Sequence, residues 1–162
     1  MHKLAIASAA LLGIAGCSAN SHLAAAEREV ERFHDLAAEQ QVERLYDQST
    51  DEFKRAATPE QFRSLMQVID ERLGNVRRAN RQGWHVNYTT AGTVVTLTYD
   101  TQFERGRGTE RFAYRIDAES PRLLGFHVNS DALVARPSSG AEEGDEGADG
   151  DREVTITAPS RR

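Results

Sequence analysis

The apolar residues of this chain change their spacing once, at Trp84, and that change limits the folds open to it. Before it they recur every three or four residues; after it they alternate. Leu23, Ala26, Val30, Phe33 and Ala37 form one stripe on a helix over about residues 22–38. Val42, Leu45 and Tyr46 continue on a shorter helix that ends near Asp47. A third helix opens at Thr58-Pro59-Glu60-Gln61, with Thr58 as N-cap, Pro59 at the first helical position and Gln61 completing a capping box. Phe62, Leu65, Met66, Ile69 and Leu73 give it one buried face, and Gly74 stops it.

From Trp84 the period is two. Trp84, Val86 and Tyr88 share one face; after a turn at Ala91-Gly92, Val95, Leu97, Tyr99, Thr101 and Phe103 share the next. The stretch "ERGRGTE" (104–110) reads as a turn with Arg105 and Arg107 at its tip. Phe112, Tyr114 and Ile116 follow, then the turn "DAESPR", then Leu124, Phe126 and Val128. Four short-linked strands with one apolar face make an antiparallel meander, and the helices supply the surface to cover it. The expected fold class is α+β: N-terminal helices packed on a four-stranded curved antiparallel sheet. Seven of the in-phase strand residues are aromatic, which predicts a mostly filled interior with at best a shallow opening beside His34.

The N-terminus carries an address. Met1, His2 and Lys3 are followed by eleven uncharged residues, 4–14, too few to span a bilayer core of about 30 Å. They suit the apolar region of a secretory signal. Ile14-Ala15-Gly16-Cys17 resembles the lipobox of bacterial lipoproteins, and Cys17 is the single cysteine of the chain. The resemblance implies a signal peptide over residues 1–16, lipidation of Cys17, and a short linker over residues 17–22. A diacyl thioether with an amide-linked chain gives the several hydrophobic chains that stable anchoring requires. Ser18, where an aspartate favours retention at the inner membrane in Gram-negative sorting, leans the address toward the outer membrane, facing the periplasm.

The domain proper is expected over residues 23–136. Residues 137–162 change composition: seven acids and four glycines fall within residues 140–153, which predicts a disordered acidic tail, with the strand-like "VTIT" (154–157) inside it. Residues 22–136 hold 18 acids and 16 basic residues with signs interleaved, so nucleic acid is not an expected partner. The helix-then-sheet order resembles the nuclear-transport-factor-2-like superfamily, a cone-shaped α+β fold. "FKRAATPEQFRSLMQVIDERLG" (53–74), "YDTQF" (99–103) and "LLGFHV" (123–128) are similar to small bacterial lipoproteins that carry such a domain of unknown function. That resemblance, over about residues 24–130, implies fold and envelope location but no activity, because the superfamily hosts enzymes, binders and adaptors alike.

No nucleophile, phosphate-loop, zinc or paired-cysteine motif is present, so neither a cofactor nor a metal is expected. At 100° per residue His34 falls about 40° from Val30, at the edge of the apolar stripe, where it can look between helix and sheet. Tyr88, Tyr99 and Tyr114 are in phase with the inner face and could add hydroxyls to a pocket there. Glu110 is also in phase, but reads as a strand end. His85, Arg111, Arg115 and His127 are out of phase and form a candidate patch on the outer face; a solvated polar face accounts for the same residues. The leading expectation is a membrane-anchored, non-enzymatic periplasmic domain that binds an envelope protein or small component. The alternatives are a small-molecule binder or enzyme that uses the interior near His34, and a purely structural envelope lipoprotein. An open cavity ending at His34 is the feature that would favour the second.

Overall fold

The computed structural model describes residues 16–117, 120–134 and 154–157. The order is α1 (Gly16–Ala38), α2 (Val42–Asp47), α3 (Asp51–Ala56), α4 (Pro59–Leu73), β1 (Val76–Thr89), β2 (Gly92–Phe103), β3 (Arg107–Ile116), β4 (Pro121–Asn129), α5 (Asp131–Val134) and β5 (Val154–Thr157). The expected α+β architecture is present: helices, then an antiparallel sheet in the order β1-β2-β3-β4-β5.

Local chemistry explains most of the boundaries. The Thr58 hydroxyl accepts from the Gln61 amide at 3.2 Å, and the Gln61 side chain accepts from the Thr58 amide at 2.8 Å, so the capping box forms as read. Gly74 ends α4 at φ 72°, where a side chain would be strained. The chain then turns away, and the β2–β3 connection folds back onto the same end. The Arg105 amide donates to the Leu73 carbonyl at 2.8 Å, and its guanidinium donates to the Asp70 carbonyl. Of the two arginines read at the tip of this turn, Arg105 thus caps the C-terminus of α4, and Arg107 already belongs to β3.

Five features differ from the sequence reading. First, residues 17–22, expected as a short linker, are helical: α1 runs through them, and "SANSHLAA" contains neither proline nor glycine to break it. The rest of the expected signal peptide lies outside the described residues. Second, α3 was not expected. It is a helix of six residues capped by the Thr50 hydroxyl, which accepts from the Phe53 amide at 3.2 Å, and it is too short to show a period. Third, β1 begins at Val76 rather than at Trp84; its first half, "VRRANRQG", is an edge strand whose mostly exposed residues hide the alternation. Fourth, Tyr114 pairs with Leu123 and Ala113 with Gly125, so Leu124 is an extra residue that shifts the phase. Leu123, not Leu124, is the core residue there. Fifth, the sheet has a fifth strand. β5 pairs antiparallel with β4, Ile156 opposite Phe126 and Val154 opposite Val128. The acidic, glycine-rich composition behind the tail reading stops at Glu153, and "VTIT" is wholly β-branched. The remainder of residues 137–162 lies outside the described residues.

The core forms one cluster between the helices and the sheet. At its centre the Phe112 ring meets Phe33 at 5.2 Å and Phe126 at 5.1 Å between centroids. A second aromatic group, Phe53 edge-on to Phe62 at 5.3 Å, joins α3 to α4. Trp84 and Tyr88, expected in the core, are 48% and 60% exposed. They lie on the covered face of the sheet, but on its edge strand, where the start of α1 covers them only in part.

Candidate functional site

At one end of the sandwich the core stops and a groove begins. Its walls come from the C-terminal half of α1 and from α4; its floor comes from Val76 and Phe103, which face each other in the β1–β2 register, and from Phe126. The cavity measures about 430 Å³. This is a larger opening than the aromatic count predicts, and it lies at the Val76–Phe103 end of the sheet, away from Trp84 and Tyr88. Phe33, Met66 and Ile69 make the groove apolar at depth, while Gln40, Glu43, Gln67 and Glu71 line it nearer the exposed helix surfaces.

His34 and Glu110 lie in the groove wall. His34 Nε2 is 3.0 Å from Glu110 Oε2, with the two side chains 14% and 3% exposed. The Thr101 hydroxyl, fully buried, donates to the same carboxylate oxygen at 2.6 Å. With Glu110 as the carboxylate, the proton of the His34 contact sits on Nε2. The imidazole stands edge-on to Phe33 and Phe112, at 6.2 and 5.7 Å between ring centroids. A charged or strongly polar pair is thus held against the aromatic core on one side and an open apolar groove on the other. Buried polar groups are retained when they are partnered, and this pair is.

His34, a candidate from the sequence, and Glu110, which the sequence reading set aside, both line the groove. The strand that carries Glu110 starts earlier than "ERGRGTE" suggests. The turn occupies only residues 104–106, and Glu110 is the fourth residue of β3. Gly108 allows this early start: a Cβ there would lie 2.7 Å from the Asn129 carbonyl oxygen. The signal available was parity, since Glu110 shares its face with Phe112 and Tyr114.

None of the three tyrosines lines the groove, although Tyr99 stands opposite Glu110 in the β2–β3 register. Tyr88 stands outside, its ring 6.5 Å from that of His22. Val76, on the same strand, lines the groove; twelve residues of β-strand, about 40 Å, separate it from Tyr88. Tyr99 is packed in the core at 6.1 Å from Phe112, and burial, reinforced by Glu27, pushes its phenol up to about 12. Tyr114 donates to the Glu29 carbonyl at 3.0 Å and borders a separate cavity of about 240 Å³. Burial first, and Glu29 next, hold its phenol well above the ordinary range. Both buried phenols stay neutral at physiological pH and serve as donors and packing.

The outer-face patch separates too. Arg111 and His127 are register partners on β3 and β4, but His85 is two strands away, opposite Thr96. Arg115 is engaged elsewhere: its guanidinium donates to Glu52 of α3 at 2.8 Å. Among the described residues no group of three or more His, Cys, Asp or Glu is arranged to hold a metal ion. Among them, too, no helix is long and apolar enough to cross a membrane.

Fold and site together define a small α+β domain with a groove between α1 and α4 and a buried histidine–carboxylate pair in its wall. The chain belongs to the family described as "Protein of unknown function (DUF4019)", whose family model matches residues 29–126. The matched segment includes His34, Thr101 and Glu110 and ends at Phe126, on the floor of the groove. No curated protein matches the chain.

Proposed function

We propose that this protein is a lipid-anchored envelope domain that binds a small, largely apolar molecule in the α1–α4 groove and does not transform it. The observation that carries the reading is the groove of about 430 Å³ walled in part by the His34–Glu110 pair. That volume lies in the range of small-ligand sites, which are mostly apolar with a few convergent polar groups. The pair supplies the polar groups and the rings around it supply the apolar wall. One oxygen of Glu110 already takes both the His34 contact and the Thr101 hydroxyl, which suits a group that orients a ligand better than one that must take a proton from it. The lipobox at Cys17 and the nuclear-transport-factor-2-like reading of the fold are parts of the same proposal, as is attachment at the outer membrane facing the periplasm.

A thermal-shift screen with single-chain amphiphiles tests it, using alcohols, amines and fatty acids of matched length. One class is expected to raise the midpoint in a saturable way, and Glu110→Gln and His34→Ala are expected to weaken it by tenfold or more, about 1.4 kcal/mol. Equal responses in wild type and both variants would mean that the groove is not the binding site.

A second reading has one observation in its favour. Arg111 and His127 are cross-strand neighbours beside exposed positions of β3, a surface suited to an acidic protein partner. Capture from envelope extract that is lost in Arg111→Glu, with the amphiphile screen silent, would favour this adaptor role.

A further inference from the structure

The two exposed aromatic residues of the domain lie near the start of α1. Trp84 and Tyr88 are 48% and 60% exposed, and Val86 between them is only partly buried. The β1–β2 register is unbroken from Gly83 to Thr89, so these three side chains share one face. Trp84 stands opposite Leu97 and Val86 opposite Val95, both fully buried; the apolar floor of the core thus continues outward onto the edge strand without cover. The position of this strip relative to Cys17 is fixed. The Tyr88 ring is 6.5 Å from the His22 ring, and α1 is continuous from Gly16. Five helical residues separate Cys17 from His22, about 8 Å along the axis, where an extended linker would allow up to about 18 Å.

We propose that the Trp84–Val86–Tyr88 strip is a membrane-contact surface that seats the domain against the lipid layer holding Cys17. The proposal rests on the lipidation reading above. Tryptophan and tyrosine rings, apolar in body and polar at one end, favour the headgroup level of a bilayer over both water and hydrocarbon. An aromatic pair of this kind close to an acylated residue gives a second point of attachment and so fixes orientation as well as proximity. A second copy of the chain, pairing edge to edge along β1, is the competing occupant. The shifts in register between Val76 and Arg78 and between Arg81 and Gly83, together with the arginines of the first half of β1, oppose that pairing.

Trp84 is the only tryptophan of the chain, so its emission reports on this surface alone. The lipidated protein is reconstituted into vesicles of phosphatidylethanolamine and phosphatidylglycerol and compared in buffer with a soluble form that begins at Ser18 and so lacks both the apolar N-terminal run and the cysteine. The expected result is a shift of Trp84 emission to shorter wavelength, quenching by brominated lipid, and acrylamide quenching reduced by about half, as for a ring at headgroup depth. Tyr88→Ser, at a site too exposed to threaten folding, is expected to restore part of the acrylamide quenching. A chain shown by intact mass to be lipidated, with Trp84 emission and acrylamide access unchanged, would overturn the surface and leave the anchor standing. An intact mass with an unmodified cysteine would overturn both. A blue shift that appears without vesicles and grows with protein concentration would assign the strip to self-association and overturn the proposal.

Discussion

Strands β1 and β2 are neighbours along almost their whole length, and from Gly83 onward they follow the same alternation and present their apolar residues to the same side. Their fates differ. Val95, Leu97, Tyr99, Thr101 and Phe103 of β2 are all buried, whereas Trp84 and Tyr88 of β1 stand in solvent. The difference is in what lies above them. β2 is flanked on both sides by strands and covered by helices; β1 is a sheet edge at the margin of that cover. Alternation specifies which face a residue joins, and burial is then decided by the elements stacked on that face.

Substitutions at graded positions test the contrast. The largest effect is expected at Phe112, fully buried at the meeting point of Phe33, Tyr99 and Phe126. Phe112→Ala is expected to cost about 3–5 kcal/mol in urea unfolding, as truncations in filled cores do. A loss near 1 kcal/mol would mean that the interior is loose and that covered and uncovered strands differ less than they seem to. At the polar end of the covered region, Glu110→Ala leaves the Thr101 hydroxyl and His34 Nε2 without their shared acceptor; the expected cost is about 1–3 kcal/mol. Glu110→Gln, which keeps an acceptor in place, is expected to recover most of it, and failure to do so would show that the charge itself holds His34. The smallest effect is expected on the edge. Trp84→Ala is expected to cost under about 1 kcal/mol in the soluble form, despite removing the largest side chain of the set. A cost like that of Phe112→Ala would mean that the strip is structural.

The same contrast explains how much of the molecule the sequence disclosed. β2, α1 and α4 were legible because each buries one face and leaves the other wet, so packing writes a period into the chain. The first half of β1 buries little, and so has no period to read. α3 is shorter than two turns, and β5 is four residues beside an acidic run. In the site, His34 was legible from its angle on α1, since a helical position is fixed in all directions by a single phase. Tyr88 was not, because phase on a strand leaves the position along its length undetermined, and Tyr88 and Val76 occupy opposite ends of one face. Glu110 needed the length of the turn before it, which depends on how closely Gly108 lets β3 pass Asn129.

The unbroken course of α1 also sets a length. Cys17 and His34 lie on one helix, seventeen residues and about 26 Å apart along its axis. A flexible tether would let the groove wander through a volume, and its mean height would grow only with the square root of its length. A helix behaves instead as a ruler. For a chain held at Cys17, the groove's height above its support would be set by the number of residues in the helix. Each inserted or deleted residue would move it by about 1.5 Å and turn it by about 100°.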